Sequence, residues 1–353
     1  MQLEIWHIDG DSFHFGRRGL GLEESGVSFP SDSLFAALVA RKAILHGDQK
    51  TAAFCAHFMD RKPPFALTSV FPRAGTVRFL PPPMLKMGQI PADGPRPKKL
   101  KRVNFVSERV FRQLIAGESL ASLWGQTEKA HKETIVFFGD EREKFPKRFR
   151  QTEPKDLQLW KVVQRPRVAI ERHSSASTIY HSGQTAFNYG CGLWFGIQWL
   201  GKKREQLANQ VHLLLDELGY AGLGGERSSG FGVCQIKKTE TVTFPDQDGD
   251  YWTTLSRYLV HEEETHLLQA PRAAYALQNV GGWVGTLSSK AQRRRSVNLL
   301  VEGSVLGPAN HHPPGQMVDV QPDYGGNQPL DHAVWRNGFA VAVGVQVDEE
   351  AHS

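Results

Sequence analysis

Residues 1–242 are predicted to fold as an α+β unit with elements in the order strand, helix, two strands, helix, strand. Three observations predict it: two one-sided helical runs, apolar runs flanking each of them, and a break at residue 245. Residues 3–8 (LEIWHI) read as the opening strand. Phe29-Pro30 followed by Ser31, Asp32 and Ser33 supplies helix-start chemistry, a proline and side chains that accept from exposed N–H groups. Leu34, Phe35, Leu38, Val39 and Leu45 then recur at helical spacing, so the first helix runs to about Leu45. Residues 65–80 read as a strand pair or an extended region, closed by the triple proline 81–83. Residues 84–154, rich in Pro, Lys and Arg, read as a basic insertion with some helix at 107–124. Residues 162–171 and 187–199 read as strands, and the polar, almost uncharged segment 172–186 between them predicts a protruding hairpin. A second helix is expected over 203–218, with Leu207, Val211, Leu214, Leu215 and Leu218 on one face and Gly219 as its stop. A strand over 231–237 completes the βαββαβ, ferredoxin-like order, which presents one open sheet face.

Residues 245–250 (PDQDGD) read as a linker to a smaller, β-rich region over 251–353. Within it Phe339, Val341, Val343, Val345 and Val347 alternate strictly, predicting a strand half buried on one face. A length of 353 residues fits two domains. With 40% hydrophobic and 22% charged residues, wholesale disorder is excluded. The 42 Lys and Arg exceed 37 Asp and Glu, a small excess whose distribution matters more: Lys and Arg cluster at 96–102, 144–150, 202–204 and 293–295. Taken singly, each cluster is an ordinary solvated face; together they favour an anionic partner. Three well-separated cysteines exclude a disulfide framework and point to a reducing compartment. No signal-peptide pattern and no membrane-length apolar run occurs, so a cytoplasmic location is expected.

The most informative stretch is Gly222-Leu223-Gly224-Gly225-Glu226-Arg227-Ser228-Ser229-Gly230-Phe231-Gly232, five glycines in eleven positions. Glycine permits positive φ and leaves room for backbone N–H groups to converge on phosphate. Arg227 adds a bidentate donor, and Ser228 and Ser229 add hydroxyls. Phe231 and Gly232 stand where a Walker loop needs Lys and Ser or Thr, and Arg227 stands where a dinucleotide loop needs glycine. The loop also joins helix to strand, the reverse of a dinucleotide-binding turn. A tight turn is the plain alternative, but a turn needs fewer glycines.

That loop, after an amphipathic helix, resembles the signature loop of the RAMP proteins, the RNA binders of CRISPR–Cas systems. Asp11-Ser-Phe-His-Phe-Gly16, Gly19-Leu-Gly-Leu-Glu23, Phe29-Pro-Ser-Asp-Ser-Leu-Phe-Ala-Ala-Leu38, Arg167-Val-Ala-Ile-Glu-Arg172 and Glu302-Gly-Ser304 narrow it. With them the chain resembles the RAMP subunits of the type III-A (Csm) effector that cap the guide RNA's five-prime tag. The resemblance implies a ferredoxin-like RAMP domain over 1–242, with insertion 84–154 and a thumb hairpin at 172–186. A smaller β-rich, RAMP-like domain follows over 251–353. It also implies no catalysis and no cofactor. The implied partners are crRNA and its RNA target, the large signature subunit and the repeating backbone subunit, with no membrane. The expected RNA-binding residues are His14, Phe15, Ser31, Asp32, Ser33, Arg41, Arg165, Arg167, Arg172, His173 and Gly222 through Phe231. Ile179 and Tyr180 are expected to form one apolar wedge.

Enzymatic alternatives have less to stand on. Asp9 and Asp11 resemble a turn more than a metal site. None of the 14 histidines precedes an aspartate, and His-Glu-x-x-His and Gly-x-Ser-x-Gly are absent. The serious rival is a metal-independent endoribonuclease of the same superfamily using His14, His173 or His181 as acid or base. An ordinary RRM matches poorly, because Ser229, Val233 and Ile236 replace its basic and aromatic positions.

Overall fold

The computed structural model describes residues 1–16, 24–85, 94–170, 177–284, 292–324 and 330–347. The chain opens with β1 (Gln2–Asp9) and the two-residue β2 (Ser12–Phe13), then α1 (Ser31–His46) and α2 (Asp48–Ala56). Next come β3 (Phe65–Leu67) and the hairpin β4 (Phe71–Ala74) with β5 (Val77–Leu80). The basic insertion holds short α3 (Pro97–Leu100), β6 (Phe105–Ser107), α4 (Glu108–Ile115), α5 (Leu120–Leu123), β7 (Thr127–Ala130) and β8 (Ile135–Phe138). Then follow β9 (Trp160–Ile170), β10 (Ser177–Phe187), β11 (Cys191–Trp199), α6 (Arg204–Ala221) and β12 (Gln235–Thr243).

The main sheet is ordered β12-β1-β11-β4-β5-β6-β8-β7, with β3 also on β11. Its first four strands pair antiparallel, with Ile5 opposite both Gly196 and Glu240. α6 covers one face: His212 and Arg204 reach Glu4 of β1, and the Trp6 ring lies 4.8 Å from His212. The opposite face is not open as expected. Leu3 and Ile5 are fully buried, and so are the residues of β11 from Cys191 through Gln198. The cover comes from the insertion, whose α4 packs on β5, β6 and β8, with Phe111 edge-on to Phe244 at 6.1 Å. The insertion is therefore part of the core; its Ile-Val-Phe-Phe run at 135–138 is a buried strand that extends the sheet.

Helix α1 begins where Pro30 predicts, but no side chain caps it. Ser31 and Asp32 are buried and turned to other work. Ser69 Oγ accepts the Ser31 N–H (2.9 Å), Ser31 Oγ accepts the Arg257 N–H (2.9 Å), and Asp32 pairs with buried Arg336. Helix α6 runs through Gly219 and stops at Gly222, which has φ +85°. Gly219 serves close packing instead: a Cβ there would stand 2.6 Å from the Cys234 carbonyl oxygen.

The C-terminal region is built from small sheets. β13 (Tyr251–Thr254) lies between β18 (Val305–Leu306) and β21 (Ala342–Val345). The pairs β14 (Leu277–Val280) with β17 (Val297–Leu300), β15 (Trp283–Val284) with β16 (Gln292–Arg293), and β19 (Met317–Asp319) with β20 (Trp335–Asn337) stand apart. Residues 339–345 are buried on both faces, because Ala340, Ala342 and Gly344 between the valines pack as closely as the valines do. Phe339, Val341 and Val343 join the main core, while Trp252, Tyr258, Leu267 and Leu306 form a smaller one. The stretch 245–250 is exposed apart from Gln247 but tethered: the N-terminal ammonium lies 2.8 Å from Asp246, and Pro245 O accepts from Gly344 N–H at 3.3 Å.

Buried Glu4 is the charged centre under α6, accepting from Trp6 Nε1 (3.1 Å), Arg204 (3.2 Å), His212 (3.2 Å) and Lys238 (2.5 Å). Burial pushes its carboxyl upward, but Lys238, the Trp6 N–H and His212 outweigh that and leave it below its ordinary 4.5. A lowered folded-state pKa means stability that is present above the unfolded value and lost as pH falls. Glu4→Gln is expected to cost about 1–3 kcal/mol at pH 7, since its partners stay partly solvated. It should also flatten the loss of stability below pH 4.5. Urea unfolding of both proteins at neutral and acid pH checks this; parallel pH profiles would contradict it.

Candidate nucleic-acid interface

The short strand after β1 places the site. β2 pairs with β10 through Phe13 opposite Thr185 and Ser12 opposite Ala186. On its other edge the glycine loop docks: Gly232 N–H donates to Ser12 O and Gly225 N–H to His14 O, both at 2.9 Å. Residues 12–14 are thus held between the hairpin and the loop. Gly224 (φ +97°) needs its missing side chain, since a Cβ would meet His14 O at 2.6 Å. Gly232 (φ +83°) has its Cα against the Leu223 backbone, and Leu223 is fully buried.

Six of the loop's amides are turned inward, those of Gly222, Leu223, Gly225, Ser229, Gly230 and Gly232, which differs from the expected phosphate cradle. Gly222 N–H goes to Leu218 O, Leu223 to Gly232 O, Ser229 to Glu226 O and Gly230 to Arg227 O. Glu226 takes the left-handed conformation (φ 53°) and starts a single 3-10 turn over Arg227–Ser229. What the loop presents outward is Arg227, Ser228 and the bare backbone of Gly225 and Gly230.

His14 and Phe15 are core residues. His14 Nδ1 donates to Gly183 O at 2.6 Å, which fixes its tautomer, since a carbonyl can only accept. Phe15 is buried between Phe13 (5.3 Å) and Phe29 (5.0 Å), so it has no free face for a base. Asp32 is locked on Arg336, Arg41 pairs with Glu217 of α6 at 3.6 Å, and Ser33 sits half buried in the first turn of α1. Arg172 and His173 lie outside the described residues.

The hairpin differs from the expected loop between strands. Residues 177–186 are themselves strand, and β9 and β10 run antiparallel from Trp160 opposite Phe187 to Ile170 opposite Ser177. Directly opposed residues share a face and neighbours along a strand alternate. One face therefore carries Lys161, Arg165, Arg167, Tyr180, Ser182 and Gln184. The other carries Val168, Ile170 and Ile179, with Ile179 67% exposed. Ile179 and Tyr180 cannot be one wedge, because they point to opposite faces; the apolar partners of Ile179 are Val168 and Ile170.

The basic face meets the glycine loop. Arg167 Cζ stands 5.0 Å over the Phe231 ring and its Nη2 is 3.5 Å from Ser229 O. With the Gln184 amide oxygen turned toward it, Arg165 donates through Nε and Nη2 at 2.9 and 3.1 Å. Arg167 Nε and the fully buried Ser182 hydroxyl have no protein partner. Ser182, Gln184, Val168 and Ile170 were not anticipated. The signal for Val168 and Ile170 was the partial alternation over 161–170, where Lys161, Arg165 and Arg167 take odd positions and Val162, Pro166, Val168 and Ile170 even ones. Among the described residues, no three His, Cys, Asp or Glu come together as a metal site, and Asp9 pairs with Arg73. No helix among them is long and apolar enough to cross a membrane.

Residues 247–345 match the family model described as the CRISPR Csm4 C-terminal domain. The CRISPR system Cms protein Csm4 of Mycobacterium tuberculosis is 25% identical over 337 residues, covering 94% of this chain and 95% of that protein. Along nearly its whole length the chain is similar to Csm4 proteins. A Methanocaldococcus jannaschii protein of the same name is 23% identical over 323 residues, covering 83% of this chain and 82% of its own. In fold, the chain is similar to a chain of the Csm3-Csm4 subcomplex in the type III-A CRISPR-Cas interference complex (TM-score 0.65, 16% identity, 98% and 100% coverage). It is also similar to a chain of a Csm1-Csm4 cassette in complex with pppApA (TM-score 0.56, 15% identity, 99% and 100% coverage). The large mixed sheet with helices is the architecture this chain shares with those solved chains.

Proposed function

We propose that this chain is a non-catalytic subunit that grips the five-prime tag of a crRNA where its hairpin crosses its glycine loop. The observation that carries the reading is Arg167, which spans both elements, its guanidinium over the Phe231 ring and its Nη2 at Ser229 O. A guanidinium fixed on an aromatic face suits a phosphate or a base edge. Arg227, Ser228, Arg165 and Tyr180 complete the surface, and Gly222 through Gly225 and Gly230 shape it without donating to the strand. The apolar face at Val168, Ile170 and Ile179 would wedge against bases of the guide–target duplex. The strand order β12-β1-β11-β4 with α1 and α6 supports a ferredoxin-like core for residues 1–242. By analogy with the Csm3-Csm4 and Csm1-Csm4 assemblies, the chain links a large signature subunit to a backbone subunit.

The endoribonuclease reading loses His14, which is buried and committed to Gly183 O; His181 is exposed on the hairpin. Incubation of the full chain with precursor guide RNA, with and without divalent metal, tests the proposal. The expected result is bound, intact RNA that competes better when it carries the tag. Site-specific cleavage abolished in His181→Ala would overturn the non-catalytic role, and equal competition without the tag would overturn tag recognition.

A further inference from the structure

The insertion's second basic cluster is not scattered over the surface; it is packed against the foot of the hairpin. Pro146 lies under Gly190 of the β10–β11 turn, where a Cβ would come within 2.8 Å of it. Thr76 N–H donates to Lys144 O at 3.3 Å, and Asn188 binds Leu159 O (3.0 Å) and Gln158 O (2.5 Å). His131 of the insertion stacks on Trp160, the first residue of β9, at 4.2 Å. Lys144, Lys147, Arg148, Arg150, Lys155 and Lys161, on the segments these contacts hold beside the hairpin foot, are all exposed. Residues 142–161 hold seven Lys and Arg against three acidic residues; Arg142 pairs with Glu128 at 3.5 Å and Arg150 with Glu143 at 3.6 Å. Tyr189, on the turn at this corner, is 89% exposed.

The Arg96–Arg102 run differs. Lys99 is paired with Glu133 at 2.8 Å and Arg102 donates to Lys132 O, so part of its charge is already engaged. At the hairpin foot Arg150 is held by Glu143 and the Phe145 carbonyl (3.2 Å) and Arg148 lies over Phe149 (4.5 Å), while the exposed Lys144, Lys147, Lys155 and Lys161 make no ion pair among the described residues. An aromatic ring is offered to solvent there, and Lys161 lies on the hairpin face that carries Arg165 and Arg167. Cations tracking a backbone with an exposed aromatic ring for a base are what single-stranded nucleic acid requires. We propose that this corner is a second nucleic-acid contact, for single-stranded RNA continuing along the basic hairpin face past the glycine-loop junction. It lies outside the tag contact and stands on different residues.

The test uses the full chain and two oligouridine probes, one of about 8 nucleotides, enough for one site, and one of about 30. Lys147→Gln/Arg148→Gln/Arg150→Gln is expected to weaken the long probe about 10-fold and to lower its salt slope by ~0.7 for each phosphate no longer neutralised. The short probe, held at the junction, should bind as in wild type. Tyr189→Ala removes a side chain with little packing to lose, and should weaken only the long probe. Wild-type affinity and slope for the long probe in both variants would overturn the proposal, leaving the corner for a protein partner or none. If Arg165→Ala/Arg167→Ala spares the short probe while the triple variant weakens the long one, the junction reading fails and this corner stands.

Discussion

Arg336→Leu is expected to destabilise the folded chain by about 3–5 kcal/mol, because it leaves the Asp32 carboxylate buried with its main partner gone. Both side chains are almost completely inaccessible, and the pair joins α1 to β20 across the body of the protein. Asp32 Oδ1 and Arg336 Nη2 already lack hydrogen-bond partners, so little else compensates either charge. Nearby Arg294 is the remaining cation; burial first, then Arg336, pull its guanidinium down to about 10. Replacing both partners, Asp32→Leu/Arg336→Leu, should recover much of the loss, since two apolar groups leave no orphaned charge. Urea unfolding of the single and double variants checks the cycle. A double variant no more stable than the single one would contradict it. The same cycle separates two roles for Asp32: a buried structural anion lowers stability when removed, whereas an RNA-contacting residue would lower affinity alone.

Arg165→Ala/Arg167→Ala should weaken guide-RNA binding by roughly 100-fold or more, about 3 kcal/mol, through the loss of charge-assisted donors. Arg167 also supports the loop by stacking on Phe231, so Arg167→Lys, which keeps the charge and loses the planar stacking, should recover only part of the affinity. Replacing Lys98, Lys99 and Lys101 with alanine provides the contrast. It removes screened attraction and should lower the salt slope by ~0.7 for each single-strand phosphate that those lysines neutralise. Binding isotherms across several salt concentrations, with folding verified by circular dichroism, distinguish the two outcomes. Strong loss in the lysine variant with near-normal binding in the arginine variant would move the interface away from the junction.

How far the sequence reached depends on whether the signal is local. The start of α1 at Pro30, the apolar face of α6 and the glycine loop after it are local patterns, and each folds where those patterns put it. Gly219 misled because a glycine after a leucine stripe reads as a stop; its true reason, the Cys234 carbonyl, lies across a turn. The amides of Gly225 and Gly232 looked available because their acceptors, His14 and Ser12, are remote in sequence. Asp32 looked like a cap for the same reason, with Arg336 near the other end of the chain. In the insertion, lysines and arginines drew attention from the buried run at 135–138 that extends the sheet. The two-faced hairpin was within reach of the sequence, since its alternation is local; treating 172–186 as one irregular segment hid it.

The central claim, that the junction of hairpin and glycine loop grips the guide's tag, is tested most directly by photocrosslinking. A guide RNA with a photoreactive nucleotide at each tag position in turn is bound to the full chain, and the crosslinked peptides are identified. The account predicts attachment within residues 222–232 and 160–187, at Tyr180, Arg227 or their neighbours. Attachment confined to the outer faces of α1 and α6, with none in those two segments, would contradict it.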